Sequence, residues 1–385
     1  MGYPQRFAAE LADAIQRGLD CRELRAALAP AIGGLLADPR ATERGRLVLT
    51  GSGDSLFAAT AALPALRRWS GQPVQVLTSL DLARYETPLL SADDVVVGVS
   101  NSGNSSRTRE GMSLARQRGA LTAAVTGSRA GPLAGLVDHV LHRPVRPLDG
   151  VDAAYARVYL NLVEYVATLV ALYGLGLALG RRAGRVSAEE EHSWLARLEA
   201  AAGGIGEAAR AVEPAVEALA EELRGADTVW VIGAGPNRGT ADYAAAKFHE
   251  QLPWNGIAQD LEEWAHLQYF LTLAWKARSV VLVLAPPGNA LDRAEELVAG
   301  IAGAGGRAIV VGHAAHGRFP KAHARLDLPG ELPELLTPLT YHVPGQLLVL
   351  HLARLAGLPL TPLRRQDDYW LIRKGAVRAT PGGLT

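Results

Sequence analysis

The sequence predicts an α/β protein built from two tandem domains, each a parallel sheet sandwiched by helices. Short apolar runs alternate with longer segments of helical periodicity, and this alternation implies parallel strands covered on both faces. The two halves of the chain also match each other at an almost constant spacing. A length of 385 residues favours two domains over one core.

Five segments of the first half and three of the second have the length and the apolar, β-branched composition of buried strands. The first set is RLVLTG (46–51), VQVLTS (74–79), DVVVGVS (94–100), ALTAAVTG (120–127) and DHVLHRPV (138–145). The second set is DTVWVIGAG (227–235), RSVVLVLAP (278–286) and GRAIVVGH (306–313). Residues 1–45 and 181–226 are predicted to be helical. The expected order is an N-terminal helical segment (1–45), a first domain (46–180), a helical connector (181–226), a second domain (227–356) and a C-terminal tail (357–385).

The two strand sets are predicted to be copies of one unit. VVVGVSNSGNS (95–105) aligns with VVLVLAPPGNA (280–290) at an offset of 185 residues, and LVLTGSGDS (47–55) aligns with VWVIGAGPN (229–237) at an offset of 182. Where the first copy has SNS, the second has APP. Because the second copy makes this turn without hydroxyl groups, folding alone does not require them, and the first loop is a candidate binding site.

Composition excludes several partner classes. Lys and Arg together number 39, as do Asp and Glu, so no net charge points to nucleic acid or to an anionic membrane. The single Cys21 excludes an intrachain disulfide framework. No segment approaches the ~20 uninterrupted apolar residues of a membrane helix, and MGYPQRFAAE lacks the pattern of a secretory signal. We therefore expect a soluble, cytoplasmic protein whose partners are small molecules or protein surfaces, with no nucleic acid and no membrane.

Two polar loops of the first copy suit a phosphate group. VSNSGNSSRT (99–108) and GSGDS (51–55) each follow a predicted parallel strand. Such a loop, where it enters a helix, offers backbone N–H groups, hydroxyl donors and the positive end of the helix dipole. Gly53 permits close approach and Ser55 adds a hydroxyl, while no P-loop lysine follows. Ser and Asn clusters also occur as plain turn and cap residues, so that reading stays open at this point.

These loops resemble the sugar isomerase (SIS) domain family. GSGDS is followed about 45 residues later by SNSGNSSRT within a duplicated α/β unit, and the resemblance is to the isomerase half of the glutamine:fructose-6-phosphate aminotransferases. It implies two tandem flavodoxin-like SIS domains. In that family a Ser-Gln-Ser-Gly-Glu-Thr loop grips the sugar 6-phosphate. The resemblance therefore implies that the phosphate is held here by Ser55, Ser100, Asn101, Ser102 and Ser105.

A stretch of the second half, residues 242–270, concentrates titratable groups. They are Lys247, His249, Glu250, Glu262, Glu263 and His266. Isomerising a ketose phosphate needs a base that moves a proton between C1 and C2 and a group that opens the ring. A carboxylate suits the first role and an imidazole the second. A lone Glu on a helix more often faces solvent, and a lone His is more often structural.

The family supplies the assignment that the residues alone leave open. Its second domain has Lys-Leu-Lys-Glu, whose Glu is the proton-transfer base, and sixteen residues later Glu-Leu-Lys-His, whose His opens the ring. Here Lys-Phe-His-Glu ends at Glu250 and Glu-Trp-Ala-His ends at His266, with the same spacing. The resemblance implies these two roles. Because the family's His comes from the neighbouring subunit, it also implies a homodimer with shared active sites.

Three further contacts follow from the resemblance. The family's closing Lys, which touches the open-chain sugar, has Lys374 as its counterpart in the longer tail, and Lys374 is therefore predicted as a catalytic residue with Glu250 and His266. The family segment Glu-Ile-Gly-Val-Ala-Ser-Thr-Lys appears as LDGVDAAYA (148–156), so Val151 persists and Asp152 is placed to contact a different sugar substituent. Gly53 is predicted as a further substrate contact from its own loop, where it permits close approach.

The predicted function is that of an enzyme acting on a ketose or amino-sugar 6-phosphate. Isomerisation, deamination of glucosamine 6-phosphate and deglycation of fructosamine 6-phosphate all fit the same chemistry, and none is expected to need a metal or a redox cofactor. The alternative is a sugar-phosphate sensor or regulator without turnover. A structural protein that has kept the fold is a third, weaker alternative.

Overall fold

The computed structural model describes residues 6–41, 45–151 and 153–360. In that range it has ten strands and thirteen α-helices. The strands are β1 (Leu47–Gly51), β2 (Val74–Thr78), β3 (Val95–Val99), β4 (Leu121–Thr126), β5 (His139–His142), β6 (Thr228–Gly233), β7 (Asn255–Asp260), β8 (Val280–Leu284), β9 (Arg307–Gly312) and β10 (Ala324–Asp327).

The α-helices occupy the segments between strands and both regions predicted to be helical. They are α1 (Phe7–Gly18), α2 (Cys21–Ala37), α3 (Asp54–Ser70), α4 (Ser79–Asp81), α5 (Ser106–Gln117), α6 (Ala153–Arg182), α7 (Ala188–Gly203), α8 (Ile205–Glu222), α9 (Pro236–Gln251), α10 (Leu261–His266), α11 (Tyr269–Trp275), α12 (Leu291–Gly303) and α13 (Val343–Leu355). Short helical turns follow several of them: a π-helical turn at Leu82–Glu86 and 3₁₀ helices at Thr87–Leu89, Ala134–Leu136, Lys276–Arg278 and Glu334–Leu339.

The chain forms two compact units, each with one sheet. Among the described residues, one unit holds 19–147 and 163–199, and the other holds 6–18, 148–162 and 200–360. The domain boundaries expected at 46, 181, 227 and 357 stay predictions.

Both sheets have five parallel strands in the same topological order. The first runs β2-β1-β3-β4-β5 and the second β7-β6-β8-β9-β10. In each, the second strand lies outside the first and the remaining three follow on the other side, which is the flavodoxin-like order. The predicted fold class of two tandem flavodoxin-like α/β units is therefore confirmed.

Two strands of the second sheet, β7 and β10, were not predicted from the sequence. They are the edge strands of that sheet, and most of their residues are only partly buried. An edge strand has one neighbour and does not need the continuous apolar run of a central parallel strand. NGIAQD and ARLD accordingly lack the apolar, β-branched pattern of the fully buried strands β3 and β8.

The sequence was expected to contain no segment long and apolar enough for a membrane helix, but helix α6 meets that test. Residues Ala156–Arg182 are long and apolar enough to cross a membrane. However, 78% of the apolar window is buried inside the protein. A core helix of a globular domain passes the same length and composition test, so this helix is weak support for a membrane span.

The duplication extends to the backbone at the first turn of each sheet. Gly53 precedes α3 with φ 57° and ψ −136°, and Gly235 precedes α9 with φ 54° and ψ −125°. The two glycines are 182 residues apart, as the sequence alignment requires. Positive φ of this kind is accessible to glycine and costly for other residues, which explains why both copies keep a glycine here.

Candidate active site

The polar loops of the first copy lie at the topological switch point of their sheet. Strands β1 and β3 pair directly, with Leu47 opposite Val95 and Thr50 opposite Gly98. After β1 the chain crosses to β2 on one side, and after β3 it crosses to β4 on the other. Open α/β sheets bind ligands in the crevice that this divergence leaves at the carboxyl ends of the strands. The segments 52–55 and 100–105 therefore flank the expected ligand position.

The loop after β3 is held by its backbone and exposes polar side chains. The N–H of Ser100 donates to the carbonyl of Val125 at 3.1 Å, and the carbonyl of Gly103 accepts from Leu133 at 3.2 Å. Ser100 is buried and Ser102 is exposed. Ser105 is the N-cap of α5, and its side chain makes no capping hydrogen bond to that helix. The loop thus ends at a helix N-terminus, where backbone N–H groups and the helix dipole favour an anion.

Four hydroxyl groups form a chain that connects the two loops. Ser52 Oγ donates to Ser79 Oγ at 3.1 Å, Ser79 Oγ lies 2.8 Å from Thr108 Oγ1, and Thr108 Oγ1 donates to Ser105 Oγ at 3.0 Å. Each hydroxyl has one proton to donate. Because the proton of Thr108 is used toward Ser105, Ser79 is the donor to Thr108. The hydrogen bonds therefore all run in one direction, from Ser52 to Ser105. The hydroxyl proton of Ser105 is left to donate to a further acceptor.

Two members of this chain, Ser79 and Thr108, were not assigned from the sequence. Both are buried. Ser79 lies at the end of a predicted strand, and Thr108 lies at the end of the polar motif. They are 29 residues apart and meet only because β2 and β3 both flank β1. Their position at the end of VQVLTS and at the end of VSNSGNSSRT was the only sequence signal.

In the second sheet, the loop that corresponds to the serine loop is occupied by a carboxylate from the same unit. The backbone N–H and the side-chain amide of Asn289 donate to Glu334 Oε2 at 3.1 and 2.8 Å. A Cβ on Gly288 would lie 2.3 Å from the Glu334 carboxyl carbon. At the position that aligns with Ser55, Asn237 donates to Thr337 at 2.7 Å. The second loop is thus occupied by an internal oxyanion, and the two copies differ as the sequence predicts.

Glu250 lies in the last turn of α9 beside a buried cation. Lys247 is 1% exposed, and its Nζ lies 3.0 Å from Glu250 Oε2 and 4.4 Å from the centre of the Tyr243 ring. Glu250 itself is 35% exposed, so its carboxylate can reach a ligand and also the ammonium group. Lys247 was named but given no role from the sequence. Its spacing of three residues from Glu250, which places both on one helix face, was the available signal.

His266 is the last residue of α10 and its side chain is 68% exposed. Its Nε2 lies 3.1 Å from Glu262 Oε1, and Arg293 donates to Glu262 Oε2 at 2.7 Å. The hydrogen bond from Arg293, followed by that from His266, holds the pKa of the Glu262 carboxyl below its usual range. Among the described residues no hydrogen bond or ion pair joins His266 to Glu250 within one chain.

The remaining predicted contacts are partly outside the described residues. Val151 is half-buried, and its N–H donates to Leu148 at 3.3 Å directly after Gly150, whose φ is 79°. Gly53 lies at the turn before α3. Asp152 and Lys374 fall outside the described residues, and their roles stay predictions.

Residues 41–172 match the family model for the SIS domain. The chain contains a SIS domain. This domain covers the first sheet, both of its polar loops and part of α6. The match includes the serine loop, which is therefore part of a recognised domain and not an isolated turn motif.

Relatives and solved structures extend the likeness to both sheets. The chain is 24% identical over 314 residues to a glutamine–fructose-6-phosphate aminotransferase of Rhizobium meliloti, covering 81% of this chain and 49% of that protein. It therefore spans about half the length of the curated relatives it matches. The C-terminal domain of the glucosamine-fructose-6-phosphate aminotransferase of Francisella tularensis superposes with a TM-score of 0.76 at 16% identity, covering 94% of this chain and 99% of that one.

A glucosamine-6-phosphate deaminase of Thermotoga maritima has the same fold. It superposes with a TM-score of 0.66 at 18% identity and covers 90% of this chain and 98% of that one. At these identities the structural likeness shows the fold alone, which is two units with one parallel sheet each. The substrate and the reaction are a separate question.

Proposed function

We propose that this protein is an enzyme that acts on a ketose or amino-sugar 6-phosphate, of the fructose, glucosamine or fructosamine 6-phosphate class. The reaction is an isomerisation, a deamination or a deglycation, with phosphate anchoring, ring opening and proton transfer between C1 and C2. The single observation that carries the proposal is the difference between the two switch points. At the switch point of the second sheet, the loop donors are already bonded to Glu334. At the switch point of the first sheet, which lies in the SIS domain, the serine loop takes that place.

The phosphate group is proposed to bind Ser55, Ser100, Asn101, Ser102 and Ser105. The one-way hydroxyl chain supports this because it leaves the proton of Ser105 for an acceptor. The Asn289–Glu334 contact supports it as well, since the same loop in the second copy binds an oxyanion through backbone and side-chain donors. A phosphate dianion adds charge-assisted hydrogen bonds, which are stronger than neutral ones.

Glu250 is the proposed base that carries the proton between C1 and C2. The buried ammonium of Lys247 supports this role because its ion pair at 3.0 Å holds the carboxylate in place, while the Glu250 side chain is still 35% exposed and open to a substrate. His266 is the proposed ring-opening acid and base, and Lys374, Val151, Asp152 and Gly53 are proposed further contacts to the sugar.

A homodimer is the proposed assembly, with His266 of one subunit completing the site of the other. The large apolar side chains that are exposed in the described part of the chain fall into two groups, both in the crossover that follows the second strand of a sheet. They are Leu80, Tyr85 and Leu89 in residues 79–89, and Leu267, Phe270, Leu271 and Leu273 in residues 261–278. Clustered exposed apolar residues mark protein contacts. Because His266 lies in the second group, a partner that covers this group also meets His266.

The experiment compares wild type with Glu250→Gln on fructose 6-phosphate, glucosamine 6-phosphate and an amino-acid conjugate of fructose 6-phosphate. Products are the isomeric sugar, ammonia or the free amine. A phosphosugar at 100 times its dissociation constant stabilises the fold by about 2.7 kcal/mol, which thermal unfolding detects. We expect both proteins to be stabilised and only wild type to turn over.

Two results would contradict the proposal in different ways. Absence of stabilisation by every phosphosugar removes the ligand class. Stabilisation of both proteins without turnover by either favours the sensor. Soluble, cytoplasmic expression of the protein is expected in either case.

A further inference from the structure

Arg143 is a buried arginine that contacts the serine loop. It directly follows β5, is 1% exposed, and its Nη2 donates to Asn101 Oδ1 at 2.7 Å. Its Nε and Nη1 atoms have no hydrogen-bond partner among the described residues. Burying a guanidinium costs several kcal/mol, and an apolar residue of similar volume packs at lower cost. A role in packing alone therefore does not explain an arginine at this position.

The guanidinium remains charged at neutral pH. Burial lowers the pKa of Arg143 to about 10, and the nearby Glu164 carboxylate acts against that decrease. A group with this pKa is protonated throughout the physiological range. It is therefore a hydrogen-bond donor only, with no acceptor atom to offer.

A donor-only neighbour fixes which end of the Asn101 amide faces it. An asparagine amide has an acceptor oxygen and a donor NH2 group that are otherwise interchangeable by rotation. Because Arg143 can only donate, Oδ1 faces the guanidinium and Nδ2 faces away from it. The backbone of Asn101 is fixed independently, since its carbonyl accepts from Gly127 N at 3.0 Å and from Thr126 Oγ1 at 3.2 Å.

Gly127 provides the space for this orientation. A Cβ on Gly127 would lie 2.5 Å from Asn101 Oδ1, which is closer than real Cβ contacts allow. The amide oxygen therefore occupies the volume that a side chain at 127 would need. Two residues from different strand ends, Arg143 and Gly127, together hold one atom of the loop.

We propose that Arg143 is a positioning residue that turns the amide of Asn101 so that its NH2 group, and not its oxygen, is presented to the phosphate of the substrate. The proposal rests on the proposed function, because it assumes that the serine loop binds a phosphosugar. An amide NH2 donates a charge-assisted hydrogen bond to a phosphate oxygen. In the opposite orientation, the NH2 group of Asn101 faces the guanidinium, which is also a donor, and its oxygen faces a phosphate oxygen, which is also an acceptor. Neither contact is then a hydrogen bond.

The experiment measures the dissociation constant of fructose 6-phosphate and of glucosamine 6-phosphate for full-length variants. Arg143→Met and Asn101→Ala are each expected to weaken the binding of whichever phosphosugar wild type binds by about tenfold. The double variant is expected to bind no more weakly than either single one, because Arg143 acts through Asn101. Arg143→Lys, which remains a donor without an acceptor, is the matched control and is expected to stay within about threefold of wild type.

Each result decides the question. Wild-type affinity in Arg143→Met, or losses that multiply in the double variant, overturns the positioning role while the proposed function stands. Absence of binding by wild type overturns the proposed function itself. If Arg143→Met does not fold, Gly127→Ala displaces the amide oxygen while Arg143 stays in place. It is then expected to weaken binding about tenfold, with no further loss on adding Asn101→Ala, and wild-type affinity in Gly127→Ala overturns the inference.

Discussion

His342, a fully buried histidine at the start of α13, makes the stability of the protein depend on pH. Its Nε2 donates to the carbonyl of Leu339 at 3.1 Å. Burial, opposed by that hydrogen bond and reinforced by the charge of Lys247, lowers the pKa of His342 from 6.5 to about 3. Between these two values the unfolded chain binds a proton that the folded chain does not. The free energy of unfolding should therefore fall by up to about 1.4 kcal/mol per pH unit below about 6.5.

The matched variant for this prediction is His342→Gln, whose amide can still donate to Leu339 and does not titrate. Chemical unfolding of both proteins at pH 7.5, 6.0 and 5.0 gives the comparison. Other titrating groups, including His351, whose pKa is also lowered, are present in both. A smaller loss of stability in His342→Gln between pH 7.5 and 5.0 is expected, and parallel pH profiles would show that His342 is not the source.

Single residues of the candidate site were predictable to the extent that they belong to a motif. Ser100, Asn101, Ser102 and Ser105 stand together in one loop of the sequence. Arg143 gave no such signal, because it lies 42 residues from the Asn101 side chain that it contacts. Contacts of this kind depend on which strand ends become neighbours, and a local pattern does not encode that.

At the scale of elements, the two glycine turns before α3 and α9 provide a matched pair. Gly53 and Gly235 have nearly the same φ and ψ, and a Cβ at either would meet no atom within 4 Å. Replacement by alanine therefore acts through backbone strain alone, which costs about 1–3 kcal/mol. We expect both variants to lose similar stability in denaturant unfolding, while only Gly53→Ala weakens phosphosugar binding.

The comparison of affinities is the decisive part of this prediction. Gly53 begins the helix beside the proposed phosphate position, whereas the loops of the second sheet are occupied by Glu334 and Thr337. An equal loss of phosphosugar affinity in Gly235→Ala would mean that the two switch points do not differ in the proposed way. Binding should be measured well below the melting temperature of each variant, so that unfolding does not contribute.

Elements differ in how strongly the sequence encodes them. The central strands β1, β3, β6 and β8 are buried along their whole length, so each appears as an apolar run. Edge strand β2 was still found because VQVLT contains β-branched and apolar residues, whereas β7 and β10 were missed. The repeat offered a way to find them, since a second copy of a five-strand unit needs counterparts of β2 and β5.

At the scale of the whole molecule, the two sheets share one scaffold and differ in their strand-end loops. Both sheets keep the same strand order and the same glycine turn, so the scaffold was not what diverged. The strand-end loops diverged instead, since one carries a connected set of hydroxyl and amide groups and the other is closed by an internal carboxylate. Because loops at a switch point contribute little to the core, they can change chemistry without loss of the fold.

The proposed sharing of sites between subunits predicts that two inactive variants restore activity together. Glu250→Gln lacks the base and His266→Ala lacks the ring-opening group, so each homodimer is expected to be inactive. When the two are unfolded and refolded as an equal mixture, half of the dimers are mixed, and in each of these one of two sites has both groups. Turnover of the phosphosugar should then recover to about a quarter of the wild-type value. Copurification through tags of two kinds measures the mixed dimers directly. If mixed dimers form without any activity, His266 acts within its own chain, and the exposed apolar group around it requires a different partner.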